Sequence, residues 1–171
     1  MHGATLFWFR RDLRLSDNAG LYRALKSSKR VYCAFIFDRD ILDRLPSKRD
    51  RRVEFIRDSL VELQAALQSH GGGLIVRHDS AREAIPALAA ELKVDAVFTN
   101  EDYEPAAAAR DAKVAAALHA QGIGFEAYKD TVIFAKDEVL TQTGGTYSVF
   151  TPYKNAWLKK LDDFQLKPYP V

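Results

Sequence analysis

Along most of this chain, short runs of β-branched and aromatic residues alternate with longer segments whose apolar residues recur at helical spacing, and this alternation leaves few folds open. Runs at residues 5–9, 30–37, 74–77, 96–100 and 125–129 read as strands. Between them lie a segment opening Ser16, Asp17, Asn18 with Leu21 and Leu25, a stretch carrying Val53, Ile56, Leu60, Leu63 and Leu67, and helical segments at 81–92 and 105–121. Strands joined by helices of this length pair in parallel through right-handed crossovers. The expectation is a doubly wound α/β fold: a mainly parallel, five-stranded, Rossmann-like sheet with helices on both faces. Such sheets bind ligands at the carboxyl ends of their strands.

Local signals refine this outline. Asp17 or Asn18 is expected to cap the first helix, because short polar side chains accept hydrogen bonds from the orphan amides of a helix start. Gly71, Gly72 and Gly73 follow a helix and precede a strand, so they read as a stop and turn rather than a phosphate cradle. Beyond Asp130 the alternation ceases: residues 132–140 are irregular, Gly144 and Gly145 mark a turn, and a last helix is expected from Pro152 with Thr151 as its cap. The expected division is therefore an α/β domain at 1–130 and, at 131–171, the start of a linker with a short amphipathic helix. Phe150, Tyr153 and Trp157 share one face of that helix. They read as packing on the sheet domain or as a docking surface for a further part of the protein, and the linker-like ending Lys167, Pro168, Tyr169, Pro170, Val171 points to the second.

A chain of 171 residues that is 47% hydrophobic can bury a core without a disulfide or metal staple. Its 25 Lys and Arg against 23 Asp and Glu leave a formal charge of +2, which argues against a body that grips nucleic acid over its whole surface while leaving a local patch open. The lone cysteine, Cys33, sits in an apolar run and fits a reducing compartment. No basic-then-apolar leader opens the chain and no apolar stretch reaches the ~18–20 residues of a membrane helix, so a cytoplasmic protein without a membrane partner is expected.

Catalytic constellations are scarce. His2, His70, His78 and His119 have no metal-ligand spacing, and neither a nucleophile-elbow serine nor a Walker-type Gly-Lys-Ser/Thr occurs. Two polar clusters follow strands directly: Arg10, Arg11, Asp12 and Arg14 after the first, and Asn100, Glu101, Asp102 and Glu104 after the fourth. Both fall at the ligand-binding edge of a doubly wound sheet. Arg11, Asp12 and Arg14 read chiefly as turn residues pinned by local salt bridges, and Lys48, Arg49, Arg51 and Arg52, interleaved with Asp50 and Glu54, as a solvated helix face.

Two long segments carry a family resemblance. Residues 6–21, LFWFRRDLRLSDNAGL, resemble the opening of the photolyase and cryptochrome family, and residues 147–161, YSVFTPYKNAWLKKL, resemble the end of that family's N-terminal α/β domain. The likeness extends over nearly the whole chain and is nearest to bacterial class I cyclobutane pyrimidine dimer photolyases. It implies a light-harvesting antenna domain, followed in the full protein by a helical domain that holds FAD and repairs damaged DNA with blue light. No residue of this chain is then catalytic, and Phe150, Tyr153 and Trp157 are expected to meet the FAD domain. A cryptochrome photoreceptor is the alternative within the family, and a stand-alone nucleotide-binding domain the alternative outside it.

The resemblance also bears on the antenna. In folate-antenna photolyases an Asn-Glu pair follows the Tyr-Glu dipeptide after the fourth strand, whereas Tyr103 and Glu104 are followed here by Pro105, Ala106 and Ala107. Residues 100–105 and 114–118, with Phe35, Asp38 and Arg52, resemble deazaflavin-antenna enzymes instead. An 8-hydroxy-deazaflavin or FMN is thus expected over methenyltetrahydrofolate. Phe35 and Phe37 would line a slot for a planar ring, Arg10 and Arg52 would counter an anionic part, and Asp38, Asn100, Glu101, Asp102 and Glu104 would supply polar contacts. Phe35 and Phe37 also read as core, and Arg52 as a solvated helix residue.

Overall fold

In the computed structural model, which describes residues 1–170, five strands form one parallel sheet in the order β3-β2-β1-β4-β5. They are β1 (Thr5–Phe9), β2 (Val31–Asp38), β3 (Leu74–Asp79), β4 (Ala96–Asn100) and β5 (Gly124–Tyr128). The helices are α1 (Ala19–Ser27), a single turn α2 (Arg39–Leu42), α3 (Arg51–Ser69), α4 (Ala81–Glu91), α5 (Pro105–His119) and α6 (Phe150–Lys160). From β1 the chain steps outward through β2 to β3, then returns across β1 to β4 and β5, so the order reverses between β1 and β4.

Strand periodicity builds two cores from one sheet, because successive side chains point to opposite faces. Leu6, Trp8, Ala34, Ile36 and Val97 pack under α4 and α5, against Ile85, Leu88, Val114 and Leu118. Phe7, Phe9, Cys33, Phe35 and Phe98 pack under α1 and α3, against Leu21, Ala24, Leu60, Leu63 and Leu67. β1 is buried along its whole length on both faces, which explains its unbroken apolar run. Full burial of side chains such as Phe7, Phe9 and Phe98 stabilises the fold by about 1.5–3 kcal/mol each.

The helix ends follow the sequence signals closely. Asn18 caps α1 by accepting from the Leu21 amide, and Asp50 caps α3 by accepting from the Arg52 amide. Asp17 takes a different part: it adopts a positive φ of 50°, and its carboxylate accepts from the Tyr169 amide. After α3 the chain turns at Gly71 with φ of 76°, where a Cβ would be strained, and the Gly72 amide returns to Leu67 O at 2.9 Å.

The last helix departs from expectation. It starts at Phe150, with Val149 in the cap position and no side-chain cap, so Thr151 lies inside the helix. Pro152 is tolerated as its third residue because first-turn amides have no intrahelical acceptor to lose. Tyr153 and Trp157 are half-buried against Tyr147 and Phe134, at ring separations of 6.0 and 5.5 Å, while Phe150 and Leu158 are 73% and 53% exposed. The segment beyond Asp130 is tied to the loop after β4 by Lys136–Glu101 and to α1 by Tyr169, which packs on Tyr22. Among the described residues no helix is long and apolar enough to cross a membrane.

Candidate functional site

The carboxyl ends of β1 and β2 open into a cleft of about 530 Å³, roofed by α2 and the start of α5. Its apolar wall is Trp8, Phe35, Phe37, Ile41, Leu42 and Ile56. Phe35 and Phe37 stand edge to face at 5.1 Å, an arrangement that aromatic quadrupoles favour. α5 begins with Pro105 and a run of alanines, so Ala106, Ala107 and Ala109 bring backbone close to the cleft without filling it. Around the rim lie Arg10, Arg11, Arg44, Arg82, Arg110 and Lys113 against Asp38, Asp40, Asp102 and Glu104.

Most of these charges already have partners. Arg10 is held by both carboxylate oxygens of Asp111, at 2.7 and 2.6 Å, and also donates to the Asn100 carbonyl. Arg11 spans Asp102 and Glu104 at 3.4 and 3.0 Å, and Arg82 meets Asp40 at 3.0 Å. The Ser80 hydroxyl and Arg82 hold the Asp40 carboxyl below its usual range. Asp38 is buried and spent on backbone, accepting from the amides of Asp40 and Ala81. Arg44 and Lys113 have no acidic partner within 4.0 Å among the described residues, so the rim keeps uncompensated positive charge.

One buried atom is orphaned. Arg110 donates through Nε to Asp111 Oδ1 at 3.0 Å, but its Nη2 has no hydrogen-bond acceptor; the same carboxylate oxygen lies 3.0 Å away at an angle that does not form a bond. A buried, unpartnered guanidinium nitrogen costs free energy unless a ligand accepts from it. The lining fits a planar, anionic, aromatic ligand: an apolar slot with a basic rim, in a volume typical of cofactor pockets.

A second, adjoining cleft of about 610 Å³ opens between the ends of β1 and β4, at the point of strand reversal. It is bounded by Arg10, Arg11, Asp12, Asn100, Glu101, Asp102, Tyr103, Glu104, Pro105 and Thr131. Its floor is a closed polar network. Asp12 accepts from the side-chain amides of Asn18 and Asn100, and Asn100 Oδ1 accepts from the Gly20 amide at 2.7 Å. Burial pushes the Asp12 carboxyl up to about 6, the nearby Asp130 adding to the effect. The other α1 amides are taken as well: Ala19 donates to Asp130 Oδ1 at 2.8 Å and Leu21 to Asn18 Oδ1 at 3.1 Å.

The nine sequence-derived site residues therefore separate. Arg10, Phe35, Phe37, Asp38, Asp102 and Glu104 border the first cleft, and Asn100 and Glu101 the second. Arg52 borders neither: 74% exposed, it folds back on Asp50 with bonds of 2.9 and 2.6 Å and holds that carboxyl down at about 2. The α3 residue that does reach the cleft is Ile56, one turn further on. Sequence reasoning missed Trp8, Arg110, Lys113 and the α2 turn. Ala106, Arg110 and Lys113 recur at intervals of four and three, so the helix face they share was available as a signal.

A doubly wound parallel sheet with an apolar, basic-rimmed cleft at its carboxyl edge defines the class: a Rossmann-like α/β domain. Comparison with known proteins makes this specific. A sequence model of the DNA photolyase family matches residues 5–171, and the chain belongs to that family. It is 38% identical over 174 residues to the deoxyribodipyrimidine photo-lyase of Synechococcus, covering 100% of this chain and 34% of that protein. It also matches, at 36% identity and a TM-score of 0.76 over 89% of its length and 34% of the other, an archaeal photolyase from Sulfolobus tokodaii whose structure is described as holding two FAD molecules and implying a novel light-harvesting cofactor. The cryptochrome of Synechocystis shares the fold at a TM-score of 0.84 and 22% identity, over 98% of this chain and 35% of that one. The chain spans about a third of the length of these relatives.

Proposed function

We propose that this protein is the light-harvesting domain of a deoxyribodipyrimidine photolyase, and that the 530 Å³ cleft holds its antenna chromophore. The single observation that carries the reading is the apolar, basic-rimmed cleft at the sheet's carboxyl edge, with Arg110 on its wall. A flavin-type chromophore suits the site: Trp8, Phe35 and Phe37 offer apolar contact to a ring system, while Arg110, Arg44 and Lys113 face an anionic edge or phosphate. Ala106 and Ala107, at the positions of the folate-binding pair in related enzymes, border this cleft and offer no side-chain hydrogen bond. That supports an 8-hydroxy-deazaflavin or FMN over methenyltetrahydrofolate. The chromophore would supply light absorption, and the chain's own residues would bind it, orient it and exclude water from its faces. FAD and the chemistry of pyrimidine-dimer cleavage in damaged DNA would belong to a helical domain outside this chain.

The nucleotide-binding alternative needs open amides at the start of α1, where a phosphate would sit. Those of Ala19, Gly20 and Leu21 are bonded to Asp130, Asn100 and Asn18. Titration with 8-hydroxy-deazaflavin, FMN and methenyltetrahydrofolate, read by visible absorbance and fluorescence, tests the proposal. Saturable binding of either of the first two, weakened about tenfold or more by Arg110→Met, is expected, as for loss of a charged hydrogen bond. Binding of folate alone, or binding indifferent to Arg110, overturns the assignment of the cleft. Light-dependent repair by the full-length protein separates a photolyase from a cryptochrome.

A further inference from the structure

The wall of the cleft contains a redox-active side chain in an unusual setting. Trp8 borders the cleft, is 2% exposed, and lies under two guanidinium groups: Arg10 Cζ is 5.0 Å and Arg110 Cζ 4.9 Å from the ring centroid. Both arginines share one carboxylate, Asp111, at 2.6 and 3.0 Å, so the group around the indole carries one excess positive charge. Two cations on one tryptophan are more than packing requires, since either would satisfy the ring quadrupole.

We propose that Arg10 and Arg110 hold Trp8 against one-electron oxidation, so that a chromophore excited in the cleft keeps its excitation instead of losing it to the protein. The inference rests on the cleft being a chromophore site. An excited flavin is a strong oxidant, and an indole in van der Waals contact is a ready donor. Quenching would move one electron from the Trp8 indole to the bound chromophore and leave an indole radical cation. Charge recombination then returns both partners to their ground states as heat. A radical cation forming at Trp8 would stand beside guanidinium charge only half offset by Asp111, in a site largely screened from water, where like-charge repulsion is strong. The neutral indole meets the same cations with attraction. The two effects act in one direction: they stabilise the reduced state and destabilise the oxidised one.

Two measurements test this. In the ligand-free chain carrying Trp157→Phe, which leaves Trp8 as the one indole, pulse radiolysis against soluble oxidants of graded strength reads the oxidation potential of Trp8. Arg110→Met is expected to lower it, Arg110→Lys to leave it near the parent value, and Asp111→Asn, which adds net positive charge, to raise it. With FMN as the probe, at concentrations that saturate each variant, Arg110→Met is expected to shorten the bound ligand's emission lifetime and to produce transient indole-radical absorption, and adding Trp8→Phe is expected to restore the lifetime. An unchanged potential in folded Arg110→Met and Asp111→Asn variants overturns the shielding, whatever FMN does. A shifted potential with an unchanged FMN lifetime overturns the role in preserving excitation. Failure of the parent chain to bind FMN or 8-hydroxy-deazaflavin overturns the cleft assignment and with it the photophysical role, while the radiolysis result still decides the shielding.

Discussion

At the scale of single residues, the least replaceable position is one without a side chain. A Cβ on Gly20 would meet Asn100 Oδ1 at 2.6 Å, Phe7 at 2.9 Å and the Thr99 carbonyl at 3.0 Å, two of them held by backbone or by the buried network. Gly20→Ala is expected to lower stability by about 1–3 kcal/mol, the usual cost of overpacking, with a matching fall in the urea midpoint. Asp12 gives a pH dependence of definite sign. Its folded value, raised from 3.8 to about 6, makes the folded state bind the proton more tightly than the unfolded chain does. The stabilisation is thus complete below about pH 4 and lost as pH rises through about 6, a contribution on the order of 3 kcal/mol. Urea unfolding from pH 4 to 8 is expected to show this loss against the trend of other groups, and Asp12→Asn to flatten it. Cys33, whose thiol burial pushes up to about 12, is expected to resist alkylation at pH 8 until the chain is unfolded.

At the scale of elements, the five strands and the long helices were legible because periodicity is a local property of the chain. β1 and β4 show their burial directly in the apolar runs Leu6–Phe9 and Ala96–Phe98, which do not alternate with polar residues. A cap at Asp17 or Asn18 was legible by chemistry alone and the structure selects Asn18; Asn18→Ala is expected to cost about 1–2 kcal/mol or more, since it frees both the Leu21 amide and a donor to Asp12. Thermal unfolding with an unchanged far-ultraviolet spectrum would report it. The one-turn α2 was not legible: four residues carry no period, and its start depends on the Asp38 side chain, which is itself positioned by β2. The cleft was half legible. Phe35 and Asp102 could be placed by their distance from a strand end, whereas the roles of Arg110 and Trp8 arise from β1 meeting α5 across about a hundred residues of chain. Arg52 shows the converse, because its nearest acid, Asp50, is a sequence neighbour that captures it before the fold can.

At the scale of the whole molecule, exposed apolar side chains gather late in the chain, at Phe150, Leu158, Phe164 and Leu166, all more than half exposed, with Phe55 and Val61 of α3 also exposed. Isolated copies are expected to self-associate weakly through it, and Phe150→Ser with Leu158→Ser to lower the sedimentation-derived association without moving the thermal midpoint. The closed start of α1 has a larger consequence. Asp130 arrives from beyond β5, on the opposite side of the strand reversal, and its carboxylate occupies the place where a nucleotide-binding relative of this sheet would hold a phosphate. The carboxylate is a built-in substitute for a bound anion, with Arg14 as its counter-charge at 2.8 Å, while Asn100 and Asn18 close the next two amides. Asp130→Ala is therefore expected to do more than destabilise: phosphate or sulfate should raise the thermal midpoint of that variant and leave the parent unmoved.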